Sequence, residues 1–177
     1  MQSRKKTYVE RTPNDIYRDV AHGSNLTADE VAAIGGLESQ HGEFNKPLQG
    51  GSARGLFQFQ PKTAEGLKSG SSDSLGDMNT QGELMKLYLE KNKVNNAEEA
   101  YIKHNLGKAG ASKFLAAPDE TKVRDVISSR VINSNPGLYD VETVGEAKEK
   151  IKNKLQEGQE SSKVRPNFLD LFKEKDG

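Results

Sequence analysis

Start and stop signals for helices recur along this chain, and they limit it to short helices joined by Gly- and Asn-rich connections. Thr27-Ala28-Asp29-Glu30 has the form of a capping box, with Thr27 at the N-cap and Glu30 three residues on. Thr143-Val144-Gly145-Glu146 repeats that form and opens a charged helix to about residue 156. Pro13 stands in the first turn of an earlier helix that Gly23-Ser24-Asn25 ends. The helix after Thr27 is expected to reach Gln40 or His41 and stop at Gly42. Residues 42–60 break the pattern and predict a loop or short irregular hairpin, followed by a short helix from Pro61 through Leu67. Asn79 or Thr80 is expected to cap a helix carrying Leu84, Leu87 and Tyr88. Asn95-Asn96 separates it from a helix over 97–106, and a turn over 107–110 leads to a short one over 111–117. One helix is expected over 119–133, stopped by Asn135-Pro136-Gly137. No period-two strand pattern and no repeat appears, so the expected class is mostly α with little or no sheet. Residues 1–11 read as a flexible arm, 12–156 as the folded domain, and 157–177 as linker and C-terminal tail with an amphipathic turn over 167–173.

Composition excludes several functions. The 26 basic and 26 acidic side chains cancel, which removes the electrostatic argument for nucleic acid. The longest apolar run, Val31 to Leu37, contains two glycines and is far too short for a membrane span. With no cysteine there is no disulfide, thiolate metal site or Cys nucleophile. His22, His41 and His104 lack ligand spacing, so no metal and no cofactor is expected. Met1–Lys6 is basic, but no apolar segment of a signal peptide follows.

Three clusters carry possible chemistry. Val31, Ile34 and Glu38 lie at i, i+3 and i+7, which puts a carboxyl on the face that turns inward. Desolvation there raises a carboxyl pKa and suits a general acid; an ordinary Glu at the edge of an amphipathic face is the plain alternative. Gly35 and Gly36 inside the same helix each cost about 1 kcal/mol relative to Ala. Close approach of a ligand or backbone, or tight helix packing, would explain them. The second cluster runs from Gly55 to Ala64, where Gln58 offers a donor and an acceptor to a ligand or merely caps its loop. In the third, Tyr101, His104 and Asn105 share a helix face. Rings with amides suit a sugar cleft, whereas Tyr101 could equally be core with His104 solvated beside it.

In this order the clusters resemble the lytic transglycosylases of the soluble lytic transglycosylase type. The matching residues are Leu37-Glu38-Ser39, then Gly55-Leu56-Phe57-Gln58 with Pro61 and Thr63-Ala64, then Tyr101-Ile102-Lys103-His104-Asn105-Leu106-Gly107. Phe57 replaces the usual Met, and His104 stands where that family has Tyr, with Tyr101 one turn earlier. This variant, with Ala109-Gly110-Ala111, Asn135–Tyr139 and Thr143–Glu146, looks like that of bacteriophage virion-associated enzymes. The resemblance covers roughly residues 25–155 and implies a lysozyme-like fold.

It also implies a substrate, the glycan strand of peptidoglycan. The β-1,4 bond from N-acetylmuramic acid to N-acetylglucosamine would be cut, leaving a 1,6-anhydro product. Glu38 would be the catalytic residue, with Ser39, Phe57, Gln58, Tyr101, His104 and Asn105 binding substrate in an open, polar cleft. One carboxylate suffices when the nucleophile belongs to the substrate. A goose-type-like lysozyme hydrolysing the same bond would want a second acid, and Glu43, Glu65, Asp73 and Asp77 stand in no recognisable motif. A catalytically idle structural component of a virion is the remaining alternative. The resemblance places the protein in a virion, among other virion proteins, acting at the host periplasm and cell wall. Such a chain could be a whole protein or a domain of a longer one.

Overall fold

The computed structural model describes residues 10–42 and 52–163, apart from the side chains of the last three. Among the described residues eight α-helices form: α1 (Pro13–His22), α2 (Ala28–Ser39), α3 (Pro61–Leu67), α4 (Met78–Lys91), α5 (Ala97–Ala116), α6 (Val123–Val126), α7 (Ser129–Ser134) and α8 (Val144–Lys163). Among the described residues there is no strand, only isolated bridges at Arg54–Phe59 and Lys122–Thr143. The class is mostly α.

Local chemistry sets most helix starts. Both partners of the capping box are made at Thr27–Glu30, where the Thr27 N–H donates to Glu30 at 2.8 Å. Thr12 and Asp15 form a third such box at α1. Helix α4 is capped by Asp77 rather than by Asn79 or Thr80, its carboxylate accepting from Thr80 N at 2.9 Å.

Three departures from the sequence reading have physical causes. The single helix expected over 119–133 is broken into α6 and α7. Val123 N donates to Glu142 O and Val144 N to Thr121 O, so the chain before α6 is held extended against the entry to α8. Ile127 is extended as well, and Ser128 caps α7. Second, the turn expected over 107–110 shrinks to one residue. Gly107 takes φ 70°, a conformation that favours glycine, and the helix resumes at once. Third, α8 continues through residues 157–163, where a linker was expected.

Helix α2 lies at the centre, packed against α1, α5 and most extensively α8. Val31, Ala32, Ala33, Ile34, Gly35 and Gly36 are all buried on it. Around them Ile16, Tyr17, Val20, Leu84, Ile102, Phe114, Tyr139 and Ile151 are almost fully buried. Each such side chain contributes roughly 1.5–3 kcal/mol.

The two α2 glycines are explained by packing. A Cβ on Gly35 would sit 2.7 Å from Tyr17 Cε1, inside the buried ring. One on Gly36 would meet the Gly158 carbonyl oxygen of α8 at 2.5 Å. A Cβ on Gly158 would in turn lie 2.5 Å from the Ala33 oxygen. Small residues on both helices let the backbones touch, so tight helix packing accounts for them and no ligand is needed.

Candidate active site

The end of α2 is held in an unusual backbone path. Gln40 and His41 adopt φ of 47° and 59°, which side-chain-bearing residues rarely do, and Gly42 follows at 89°. Such residues cost of order 1–3 kcal/mol and persist where their surroundings over-determine them. Those surroundings are visible here. Gln40 N and His41 N donate to the Gly36 and Gly35 carbonyls. Gly42 N donates to Ser39 Oγ at 2.8 Å. The Tyr17 hydroxyl meets His41 Nδ1 at 2.7 Å. Ser39 Oγ donates onward to Leu56 O at 2.7 Å, tying the end of α2 to the Gly55–Phe59 turn. Glu38 is carried by the last rigid turn before this path begins.

The turn that faces it is equally pinned. Arg54 N donates to Phe59 O and Gln58 N to Gly55 O. Gln81, fully buried on α4, accepts from Phe57 N at 2.8 Å and donates to Leu75 O at 2.7 Å and Arg54 O at 3.0 Å. This one amide fixes the main chain that delivers Phe57 and Phe59.

Glu38 opens into a pocket lined by Ile34, Phe57, Phe59, Met85, Tyr88, Ala100, Tyr101 and His104. The enclosed space is about 10 Å³, close to the volume that one water needs. Among the described residues this space is narrow and largely apolar. Only 16% of the Glu38 side chain is exposed. Burial pushes its carboxyl above the ordinary value, and His104, when protonated, pulls the other way. His104 Nε2 lies 3.8 Å from Glu38 Oε1, a Coulombic contact rather than a hydrogen bond. The His104 ring stands edge-on to Tyr88, with centroids 6.3 Å apart.

The phenols around Glu38 stay protonated. Burial, and next the charge of Glu38, raise the pKa of both Tyr88 and Tyr101. Tyr139 rises to about 12 through burial, opposed by the Asn105 amide, which also faces Tyr101. Tyr88 Oη, Asn105 Nδ2 and Tyr139 Oη are buried without a hydrogen-bond partner among the described residues. An unsatisfied buried group typically costs about 1–3 kcal/mol.

The structure brings Glu38, Phe57, Tyr101 and His104 to one pocket, while Ser39 and Gln58 bond to backbone and Asn105 is not on the described wall. Ser39, 1% exposed, clamps backbone. Gln58 is buried, at φ 52°, and donates to Gly55 O at 2.9 Å, the loop-capping role. Asn105, whose amide faces the Tyr101 hydroxyl, is not part of the described pocket wall. Sequence reasoning missed two residues. Tyr88 had been placed only on the apolar face of α4, and Gln81 gave no signal, since an amide in a first helical turn is ordinary.

The other carboxylates considered are occupied or distant. Glu65 accepts from Gly70 N and Ser72, Asp77 caps α4, and Asp73 is exposed and away from the pocket wall. Glu43 lies outside the described residues. Among the described residues no three His, Asp or Glu side chains gather as a metal site, and no helix is long and apolar enough to cross a membrane. Chemically, the arrangement offers one buried carboxyl with a raised pKa, two tyrosines on the same pocket wall, and an imidazole within Coulombic reach. No protein-family model and no curated protein sequence matches the chain.

Proposed function

We propose that the chain is a peptidoglycan lytic transglycosylase with a lysozyme-like domain and Glu38 as its acid and base. The observation that carries this reading is one desolvated carboxyl, at the end of a buried helix, with no second carboxylate among the described residues on the wall of its pocket. A carboxyl whose pKa is raised by burial holds its proton more readily and can give it to the glycosidic oxygen as the C1–O bond breaks. The resulting carboxylate then takes the proton of the muramic C6 hydroxyl as that oxygen attacks C1. The 1,6-anhydro ring closes, Glu38 is protonated again, and no water is consumed. Because the pocket admits about one water, the glycan would reach Glu38 at the part of the side chain that remains exposed. The tyrosine hydroxyls and His104 then stabilise the carboxylate between the two proton transfers.

The resemblance of the three motifs supplies the substrate and the setting: a virion-carried enzyme, among other virion proteins, acting at the host cell wall. Clearing of purified cell walls tests the reading. Wild type should clear them and Glu38→Gln should lose activity on the order of 10²–10⁴-fold. Equal rates would mean that Glu38 does no chemistry.

A further inference from the structure

His41 belongs to none of the three motifs, and neither proton transfer uses it. It follows Glu38 closely, at φ 59°, in the left-handed path that ends α2. Its imidazole turns back toward the helix it leaves: a Cβ on Gly36 would lie 2.9 Å from His41 Nε2. There the Tyr17 hydroxyl of α1 meets Nδ1 at 2.7 Å, and the two rings stand edge-on with centroids 5.7 Å apart. Tyr17 also reaches the far wall of the site. Its ring lies 6.1 Å from that of Phe57, which lines the Glu38 pocket. We propose that His41 is a positioning residue: by accepting the Tyr17 hydroxyl at Nδ1 it pins the end of α2 and so sets where the Glu38 carboxyl stands.

The end of α2 is thus held from two sides, by Ser39 Oγ on Leu56 O and by His41 on Tyr17. The second hold bears on the costlier residues, since a side chain at positive φ persists only where its surroundings fix it. Tyr17 is almost fully buried, and burial raises its pKa, so the phenol keeps a proton to donate. A donating phenol requires a bare Nδ1, hence a neutral imidazole with its proton on Nε2. Gly35 and Gly36 leave the room that the phenol and the imidazole occupy. A carboxyl that must meet a glycosidic oxygen is sensitive to such a hold, because a displacement of about 1 Å can cost roughly tenfold to a hundredfold in rate.

Three substitutions separate the atom from the residue. His41→Asn puts an amide oxygen where Nδ1 stands and tolerates the left-handed backbone. His41→Gln carries its amide out to the Nε2 position instead. Tyr17→Phe keeps the buried ring and removes the hydroxyl alone. The first readout is the Glu38 titration, followed by carboxyl carbon NMR without peptidoglycan. Once the end of α2 loosens, the carboxyl is less desolvated. Its midpoint should therefore fall by roughly half to one pH unit in His41→Gln and Tyr17→Phe, and stay in place in His41→Asn. Tyr88, Tyr101 and His104, the other titratable groups on the pocket wall, are intact in all three variants. On cell walls, kcat should fall roughly tenfold in His41→Gln and Tyr17→Phe with KM unchanged, while His41→Asn keeps most of its activity. The double variant Tyr17→Phe with His41→Gln should lose no more than either alone. A Glu38 midpoint unmoved by Tyr17→Phe overturns the proposal, as does a His41→Asn variant as impaired as His41→Gln. The inference rests on the transglycosylase reading only for its effect on kcat. A wild type that cuts no glycan would sink that reading, and the titration, read without substrate, would still decide this one.

Discussion

The two flanks of α2 obey opposite rules. On the α8 flank, Gly36 and Gly158 bring backbone against backbone, and neither position has room for one more carbon. On the α4–α5 flank a carboxyl is buried beside phenols, and hydroxyl and amide groups have no partner among the described residues. The first arrangement maximises packing. The second costs stability, through desolvation of Glu38 and orphaned polar atoms. A short helix can carry both because its glycine flank is rigid enough to hold the costly end in place. Strain sits between them, in the positive-φ residues Gln40 and His41 that follow Glu38.

That contrast can be broken most severely at the scaffold of the pocket. Gln81→Met deletes three hydrogen bonds and leaves Phe57 N, Leu75 O and Arg54 O unmatched. A loss of about 3 kcal/mol in denaturant unfolding is expected, with the Phe57 wall loosened and activity falling alongside. Next comes the packed flank. Gly36→Ala should cost about 2 kcal/mol by overpacking against the Gly158 carbonyl. Combined with Gly158→Ala it should be non-additive, because the two positions meet. Additive losses in a double-mutant cycle would mean that the helices do not touch there.

The smallest effect sharpens the other flank. Glu38 is raised above its ordinary 4.5 by burial. Below that value both folded and unfolded chains hold the proton, and wild type and Glu38→Gln differ least. As pH rises, the unfolded chain ionises first, so wild type loses stability relative to Glu38→Gln until the folded carboxyl titrates. Unfolding midpoints at about pH 4 and about pH 7 should therefore diverge in favour of the Gln variant. A gap that stays constant with pH would show Glu38 to be solvated.

Local signals made the helix starts legible. Thr27–Glu30 and Thr143–Glu146 contain their own hydrogen-bond partners, so four residues decide the outcome. The break between α6 and α7 was not legible, since it depends on Thr121 and Val123 pairing with residues some twenty positions later. Glu38 was legible because helical periodicity sets it on the buried stripe. Ser39 and Gln58 were assigned to the cleft by motif, whereas their burial and backbone bonds are tertiary facts. Tyr88 reached the pocket through the packing of α4, which no spacing within its own helix reveals.

The central claim is that one carboxyl does both proton transfers. Mass spectrometry of the muropeptides released from purified peptidoglycan tests it most directly. Wild type should release 1,6-anhydromuramic ends and Glu38→Gln should release almost none. Products carrying only reducing ends, with water added across the bond, would contradict the single-acid account.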